Sequence, residues 1–215
     1  MVEAWLVGCV AGYLLGSIPV GLWVGRAVGG VDLRQVGSGK IGATNTLRRL
    51  GKKWSLLVFV LDGSKGALAV LVPYLIWDSP TAEVIGGLAA IVGHIFPIFA
   101  RFRGGRGATT ALVALLVLAP PLGAIGFASG IFFVVATRIV SIATLATAVL
   151  LAILLSAFVA LGEEPTAYYA YAWCSCVIIL IAHRDNIRRL LAGTEPRIGQ
   201  MGRTDKLTTE AGERP

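Results

Sequence analysis

Charged side chains are scarce in this chain of 215 residues: only 14% are Asp, Glu, Lys or Arg, whereas 56% are hydrophobic. An average soluble domain carries roughly 25% charged residues. A soluble fold of this length has no place for so much apolar surface, which excludes the ordinary globular classes. The long apolar runs instead predict an all-α, polytopic membrane protein built from spanning helices.

Metal-binding side chains are scarce as well. Histidine occurs only at His94 and His183, and Cys9, Cys174 and Cys176 lie in apolar stretches without a CxxC spacing. Two histidines with no carboxylate on a shared helical face are too few for a catalytic zinc site. We therefore predict no metal, no cofactor and packing roles for the cysteines, while each histidine suits either a structural role or a site.

Apolar runs that could span a bilayer recur along the chain. A span needs roughly 20 apolar residues, and the candidates lie at about 4–25, 55–77, 82–100, 140–161 and 167–182. The apolar run between Gly107 and Thr137 contains Pro120 and Pro121. Because proline breaks a helix, this run suits either one long span or a hairpin of two short helices.

Charge placement distinguishes these two topologies. Lys and Arg cluster at 26–53, 101–106, Arg138 and 184–214, whereas the loops near 78–81 and 162–166 contain none. With the hairpin there are seven transmembrane helices, and every basic residue except Lys65 falls on the cytoplasmic side, as the positive-inside rule requires. We therefore predict seven helices, an outer N-terminus and a cytoplasmic C-terminus. Residues 1–202 would form one membrane domain and 203–215 a polar, disordered tail.

Two features within the spans predict close helix contacts. Gly8, Gly12 and Gly16 repeat at a small-xxx-small spacing, which lets helix backbones approach each other. Asp62 and Lys65 share one helical face at membrane depth, where ionisable groups are costly and usually paired. Either they form an ion pair that fixes packing, or Lys65 faces a polar site.

Three segments between the spans are too polar and too rich in glycine for ordinary connectors. They cover 37–49, 93–107 and 183–196, and each combines glycine, cations and hydroxyl or amide side chains. Glycines let backbone N–H groups approach an anion and Arg or Lys neutralise it, so the composition indicates phosphate binding. The GxGxxG at 37–42 lies between two membrane spans, without the strand and βαβ unit that a dinucleotide fingerprint needs, so we reject that function. We expect no nucleic acid as a partner.

These segments resemble, in order, the motif regions of the acyl-phosphate-dependent glycerol-3-phosphate acyltransferase family. The matching patterns are GSGxxGATNxxR (37–48), GHxFPxFxxFxGGxG (93–107) and HRxNIxRLxxGTE (183–195), with LDxxKGALAV at 61–70 between the first two. The similarity extends from about Gly16 to Glu195. Three separated motifs in the family's order make the resemblance specific.

The resemblance implies a seven-helix fold in the bacterial inner membrane with the motifs gathered at the cytoplasmic face. It implies transfer of an acyl chain from acyl phosphate to the 1-position of sn-glycerol 3-phosphate. The products are lysophosphatidic acid and inorganic phosphate, in the first step of phospholipid synthesis. The implied partners are acyl phosphate, glycerol 3-phosphate, membrane lipid and an upstream enzyme that makes acyl phosphate.

The resemblance also implies site residues wherever the motif positions match. The implied catalytic residues are Ser38, Arg106, His183 and Asn186. The implied substrate-binding residues are Gly37, Gly39, Lys40, Thr44, Asn45, Arg48, Lys65, His94, Arg103, Gly104, Gly105, Gly107 and Glu195, of which the last closes the site or holds a basic partner. The chain departs from the family's usual pattern at Lys40, where Asn is usual, and at Arg103 and Arg106, where Lys is usual.

Alternatives remain at this stage. Acyl phosphate is already activated, so direct transfer needs no nucleophile, but Ser38 could also form an acyl-enzyme. The base is either His183 or a phosphate oxygen of a substrate. A transporter or flippase for a phosphate-bearing solute would also suit buried charges and short helices, although the outer loops carry no basic residue.

Overall fold

The computed structural model describes residues 1–198, and the regular secondary structure in that range is entirely helical, which confirms the predicted all-α class. A single 3-10 turn, Ile98–Ala100, interrupts the series of α-helices there. The helices are α1 (Val2–Gly16), α2 (Val20–Gly29), α3 (Ala43–Leu50), α4 (Lys52–Trp77), α5 (Pro80–Ile95), α6 (Ala108–Leu118), α7 (Pro120–Thr137), α8 (Val140–Ala160), α9 (Tyr168–Ala182) and α10 (Arg184–Leu191). The end of the predicted domain, 199–202, and the predicted tail, 203–215, lie outside the described residues.

Within residues 1–198, five helical segments are long and apolar enough to cross a bilayer. They are Val2–Gly29, Lys52–Trp77, Pro80–Ala100, Pro120–Thr137 and Val140–Ala160. Two shorter apolar helices, α6 of 11 residues and α9 of 15, occupy the remaining predicted spans. At 1.5 Å per residue α6 covers only about 16 Å, half of a 30 Å hydrocarbon core. The number of seven spans and the orientation of the termini stay predictions.

The proline pair acts as the hairpin prediction requires. The helix α6 ends at Leu118, and α7 begins at Pro120, where a missing N–H and a fixed φ suit the first turn of a helix. Gly123 lies against the backbone of Leu116, so the two helices fold back on each other. The run from 107 to 137 is therefore two helices and not one.

The first span differs from its prediction, because it is broken where one continuous helix at 4–25 was expected. Pro19 has no N–H to donate and separates α1 from α2. The carbonyl of Ile18 accepts a hydrogen bond from Lys65 Nζ at 3.0 Å, and the same Nζ lies 2.9 Å from Asp62 Oδ1. Of the two alternatives for Asp62 and Lys65, the structure shows the ion pair, and Lys65 also stabilises the break in the first span.

Glycine packing joins α1 to α5, as the small-xxx-small spacing predicted. Gly8, Gly12 and Gly16 are all buried. A Cβ on any of them would overlap a backbone oxygen of the facing helix, that of Ala82, Gly86 or Ala90 respectively. Because lipid offers no hydrophobic driving force between helices, this close backbone contact holds the pair together by packing.

The largest apolar core lies on the other side of α5, where α4, α6, α7, α8 and α9 meet. Val70, Ile91, Leu122, Leu155 and Tyr171 are each almost completely buried there. The hydroxyl of Tyr171 donates to the carbonyl of Ala111 at 2.7 Å, so no polar group is left unsatisfied by its burial. This core fixes the relative positions of the helices that surround the site.

Replacement of Gly12 by alanine tests the α1–α5 contact. We expect Gly12→Ala to lower the free energy of unfolding by about 1–3 kcal/mol, because the added methyl overlaps the Gly86 carbonyl. The control is Gly130→Ala in α7, where a Cβ meets only Thr147 Oγ1 at 3.8 Å. Melting temperatures in detergent, followed by circular dichroism, should fall only for Gly12→Ala; equal melting temperatures would contradict the contact.

Candidate active site

A cavity of about 420 Å³ lies where the three polar segments meet the helices α6 to α9. Its polar end includes Ser38, Lys40, Arg48, Arg106, His183, Asn186 and Glu195. Its apolar end includes Phe59, Leu112, Leu115, Phe127, Ile131, Val134, Leu151, Leu155 and Ile179. The cavity therefore combines a cationic end with a long apolar end.

Asn45 organises the first polar segment. Its side chain is buried, and Nδ2 donates to the carbonyls of Leu33, Val36 and Lys40 at 2.9, 3.0 and 2.9 Å. Its Oδ1 accepts the backbone N–H of Ser38 at 3.1 Å. Every polar atom of the amide is therefore occupied by the loop, and Asn45 shapes the cavity wall through the backbone of Ser38 and Lys40.

The glycines of the same loop supply its sharp turns. Gly37 has φ +59° and Gly39 has φ +67°, both in the left-handed region that favours glycine. A Cβ on Gly37 would also overlap Asn45 Oδ1. Gly37 and Gly39 do not line the cavity themselves, but their conformation lets Ser38 and Lys40 do so.

Three cations converge on the polar end of the cavity. The Nε atoms of Arg48 and Arg106 are buried, and within residues 1–198 neither has a hydrogen-bond partner. Burial, and then repulsion from Arg189, lowers the pKa of Arg106 to about 10, so its guanidinium stays charged at neutral pH. Burial lowers the pKa of Lys40 too, and the nearby Arg106 lowers it further. The site is preorganised for an anion.

The second polar segment folds back onto the end of α5. The N–H groups of Gly104 and Gly105 donate to carbonyls of that helix end at 3.2 and 3.0 Å. A Cβ on Gly105 would overlap Nε2 of the buried His94, whose Nδ1 lies 3.5 Å from Asp62 Oδ1. This close approach of backbone to imidazole brings Arg106 to the cavity.

Glu195 organises the third polar segment. Its Oε1 accepts from Ser141 Oγ at 2.8 Å and from Asn186 Nδ2 at 2.6 Å, and its Oε2 accepts from Arg189 Nε at 2.7 Å. Burial raises the pKa of Glu195, but the hydrogen bonds from Asn186, Ser141 and Arg189 outweigh it and hold the pKa below its usual value. Asn186 Oδ1 is left buried without a partner among the described residues, available to a substrate hydroxyl.

His183 is held as a neutral ring with one free nitrogen. Its Nδ1 lies 2.8 Å from the carbonyl of Ile179, which can only accept, so Nδ1 carries the proton. Burial lowers the pKa of His183 to about 4, and the charges of Arg106 and Lys40 contribute to the same shift. At neutral pH Nε2 therefore has a lone pair that can accept a proton or a hydrogen bond.

The structure brings most of the predicted site residues together. Ser38, Arg106, His183 and Asn186, the predicted catalytic residues, all line the cavity. So do the predicted substrate-binding residues Lys40, Thr44, Asn45, Arg48, His94, Gly107 and Glu195. Their contacts with substrate stay predictions.

The other predicted site residues lie outside the cavity wall: Gly37, Gly39, Lys65, Arg103, Gly104 and Gly105. The four glycines shape the loops. Lys65 is directed to the break between α1 and α2, and Arg103 lines a separate recess.

Some contributors were not predicted from the sequence. Ser141 and Arg189 hold Glu195, and Asp62 and Phe59 line the cavity. Arg189 could have been found, because it stands inside the third motif. Ser141 is an ordinary helix residue with no local signal, and only the fold brings it to Glu195. Within residues 1–198, no group of three or more metal-ligating side chains could hold a metal ion.

The fold and the site together define a class: an integral membrane protein whose cavity joins a cationic end to an apolar end. Comparison with known proteins narrows this class. The family model described as glycerol-3-phosphate acyltransferase matches residues 6–193. The glycerol-3-phosphate acyltransferase of Synechococcus sp. (strain JA-3-3Ab) is 46% identical to this chain, over 92% of this chain and 96% of its own length. That of Caulobacter vibrioides (strain NA1000 / CB15N) is 41% identical, over 90% of this chain and 88% of its own length.

Solved structures give the same result. One is a crystal structure of PlsY (YgiH), an integral membrane glycerol 3-phosphate acyltransferase, in its glycerol 3-phosphate form. It aligns with a TM-score of 0.84 and 36% identity, over 92% of this chain and 96% of that one. The lysophosphatidic acid form of the same protein aligns with a TM-score of 0.82 and 34% identity, over 93% of this chain and 97% of that one. The chain belongs to the glycerol-3-phosphate acyltransferase family. It is an integral membrane acyltransferase of phospholipid synthesis, as the motifs predicted.

The substitution Asn45→Asp tests how the first loop is held. Aspartate keeps an acceptor for the Ser38 N–H but loses the amide that donates to three carbonyls, so we expect a loss of about 1–3 kcal/mol of stability together with activity. Thr44→Ala, at the neighbouring cavity residue, is the control and should keep the wild-type melting temperature. An Asn45→Asp variant as stable as wild type would contradict the role of the amide donors.

Proposed function

We propose that this protein transfers an acyl chain from acyl phosphate to the 1-position of sn-glycerol 3-phosphate, giving lysophosphatidic acid and inorganic phosphate. The observation that carries the proposal is one cavity with unpartnered arginine donors at one end and an apolar groove at the other. The two PlsY structures that this chain resembles are a glycerol 3-phosphate form and a lysophosphatidic acid form, which supports these two compounds as substrate and product.

The cationic end suits two substrates that each carry phosphate. Lys40, Arg48 and Arg106 line the cavity, and both carboxylates in its wall are already paired, Glu195 with Arg189 and Asp62 with Lys65. The excess of positive charge is therefore available to ligands. Arginine in place of the family's usual lysine at 106 keeps the charge and adds a planar fork, which binds a phosphate through two oxygens.

The apolar end suits a fatty chain. Along α8 the cavity wall extends from Val140 to Leu155, a rise of about 22 Å at 1.5 Å per residue. An extended chain of about 16 carbons has a length of about 19 Å, because C–C bonds near 1.5 Å advance about 1.25 Å each along a zigzag. The groove is thus long enough for the acyl group of a common membrane lipid.

The proposed chemistry is a direct displacement at the acyl carbon. The 1-hydroxyl oxygen of glycerol 3-phosphate attacks the carbonyl carbon, a new ester C–O bond forms, and the C–O bond to phosphate breaks. The phosphate leaves with the electron pair and is stabilised by the arginines, and the hydroxyl proton passes to His183 Nε2 or to a phosphate oxygen. Positioning and charge stabilisation suffice, because acyl phosphate is already a reactive mixed anhydride.

The remaining polar groups orient the acceptor. Asn186 Oδ1 is free to accept from a glycerol hydroxyl, since Glu195 occupies its Nδ2. Ser38 lines the cavity at the turn that Asn45 fixes, where its hydroxyl donates to a substrate phosphate. Val36 and Lys40 stand where a GxSxG elbow around Ser38 needs glycines, which favours direct transfer over a covalent acyl-serine.

The distribution of charge supports the orientation of the site. With seven spans, an outer N-terminus and a cytoplasmic C-terminus, the three motif segments face the cytoplasm, where both substrates occur. We place the protein in the bacterial inner membrane on this basis. Because acyl phosphate hydrolyses readily, an upstream enzyme must produce it near the membrane.

An assay with purified protein tests the reaction. Palmitoyl phosphate and glycerol 3-phosphate should yield lysophosphatidic acid and phosphate in equal amounts, whereas palmitoyl-CoA should give none, and chromatography should identify the 1-acyl isomer. Arg106→Ala should lower kcat/KM about 100- to 1,000-fold, since it removes a charge from the departing phosphate.

The control for this assay is Arg138→Gln, at an exposed arginine that ends α7 and does not line the cavity. It should keep wild-type turnover. If folded wild-type protein turns over neither donor, the acyltransferase proposal is wrong, and phosphate-ester transport into liposomes becomes the next measurement. Turnover with palmitoyl-CoA alone would contradict only the proposed donor.

The pH dependence tests the role of His183. Protonation abolishes the lone pair of Nε2, so activity should fall as the pH drops through the pKa of this ring, about 4 in the free enzyme. The acid limb of the kcat profile should lie at a higher pH than that of the kcat/KM profile. The reason is that bound phosphate offsets the charges of Arg106 and Lys40, which lower the pKa of His183 in the free enzyme. His183→Gln should remove this limb; a variant profile parallel to that of wild type would exclude His183 as the titrating group.

A further inference from the structure

A second recess, of about 390 Å³, lies beside the cavity and shares no lining residue with it. It is lined by Asp32, Arg34, Gln35, Arg101 and Arg103. The proposed reaction uses none of its groups.

The recess carries a surplus of positive charge. Its one carboxylate, Asp32, is already paired with Arg34 at 2.6 Å and with Arg26 at 3.1 Å. Arg101 and Arg103 are exposed, and neither makes a side-chain hydrogen bond or ion pair with any residue of 1–198. Two arginines beside a neutralised carboxylate form a binding surface for an anion.

The backbone that presents these arginines is strained. Arg101 and Phe102 have φ +55° and +57°, so two consecutive residues with side chains occupy the left-handed region. Each residue in such a conformation lowers the stability of the fold by about 1–3 kcal/mol. These conformations persist where the surrounding structure holds them, often at binding sites. Here three backbone hydrogen bonds hold the turn. The N–H groups of residues 101, 102 and 103 donate to the carbonyls of residues 98, 97 and 100, respectively.

Exposed aromatic rings surround the same turn. Phe96, Phe99 and Phe102 are 53%, 58% and 57% exposed, at the end of a membrane-spanning segment. Apolar rings next to cations are typical of protein surfaces that lie in the boundary between headgroups and acyl chains. A soluble anion would not explain three exposed phenylalanines at the rim of a cationic recess.

We propose that this recess binds the phosphate headgroup of an anionic membrane phospholipid, with the phenylalanines in the acyl region of the same leaflet. This assigns Arg103 to a membrane lipid and not to the substrates of the cavity. The surface potential of anionic leaflets favours each such arginine, and the paired Asp32 removes the repulsion that a free carboxylate would add.

The recess and the catalytic cavity share two loops. The first contributes Arg34 to the recess and Ser38 to the cavity, and the second contributes Arg103 to the recess and Arg106 to the cavity. Arg34 Nη1 donates to the carbonyl of Ala100 at 3.1 Å and so joins the loops. A lipid phosphate bound between them braces the cationic end of the cavity, and anionic lipid should therefore activate the enzyme.

Lipid binding can be measured without turnover, so this test stands apart from the test of the proposed function. Detergent-solubilised protein is titrated with phosphatidylglycerol or phosphatidylcholine, and bound lipid is counted by native mass spectrometry. We expect a preference for phosphatidylglycerol that Arg101→Gln/Arg103→Gln weakens about 30-fold, since each arginine near anionic lipid contributes about fivefold. Arg103→Gln alone, at a residue of ordinary backbone conformation, should weaken binding about fivefold.

The matched control is Arg138→Gln, because Arg138 is likewise an exposed arginine in the left-handed region at a helix end. It should leave the preference for phosphatidylglycerol unchanged. Equal affinity of the double variant and the control would overturn the proposal, and so would displacement of the lipid by excess inorganic phosphate, which would mark a site for free anions. Phosphatidylglycerol that binds but leaves wild-type turnover unchanged in nanodiscs would overturn the coupling to the cavity.

Discussion

The bilayer cannot solvate a free backbone group or a lone charge, and the irregular parts of this protein follow from that constraint. Where Pro19 breaks the first span, the Lys65 ammonium caps the exposed Ile18 carbonyl. Where the first motif leaves the helices, the Asn45 amide satisfies three carbonyls and one N–H at once. Both of these departures from helix are thus supported by a polar side chain, and the second of them contributes part of the cavity wall.

The candidate cavity is the exception, because the Nε atoms of Arg48 and Arg106 have no hydrogen-bond partner among residues 1–198. Glu195 pairs with Arg189 and Asn186, and its charge together with that of Asp185 offsets only part of the burial and repulsion at Arg106. Mutual repulsion and burial both oppose this arrangement, as the lowered pKa of Arg106 indicates. The arrangement lowers the stability of the empty site, and a bound anion would compensate these charges, a trade of stability for affinity that is common at functional sites.

Composition and motif order predicted the membrane class and the residues that gather at the cavity, because both depend on local patterns. Local patterns could not predict the direction in which each side chain points. Asn45 and Lys65 were assigned to substrate, but the structure directs the first into its own loop and the second to a broken helix. The break itself was missed because an apolar run hides Pro19, and Ser141 was missed because its partner lies 54 residues away in the chain. Contacts between residues far apart in the chain can be identified only from the fold.

The dependence of Asn186 on Glu195 has a consequence for biosynthesis. Glu195 follows all the membrane helices, and Ile198 behind it is tied to the carbonyl of Arg138 at 2.7 Å. Translation proceeds from the N-terminus, so every helix can be inserted while this short segment is still within the ribosome. The contacts of Glu195 with Ser141 and Asn186 therefore form only after the segment behind α10 has emerged, so this part of the cavity wall is the last to be completed.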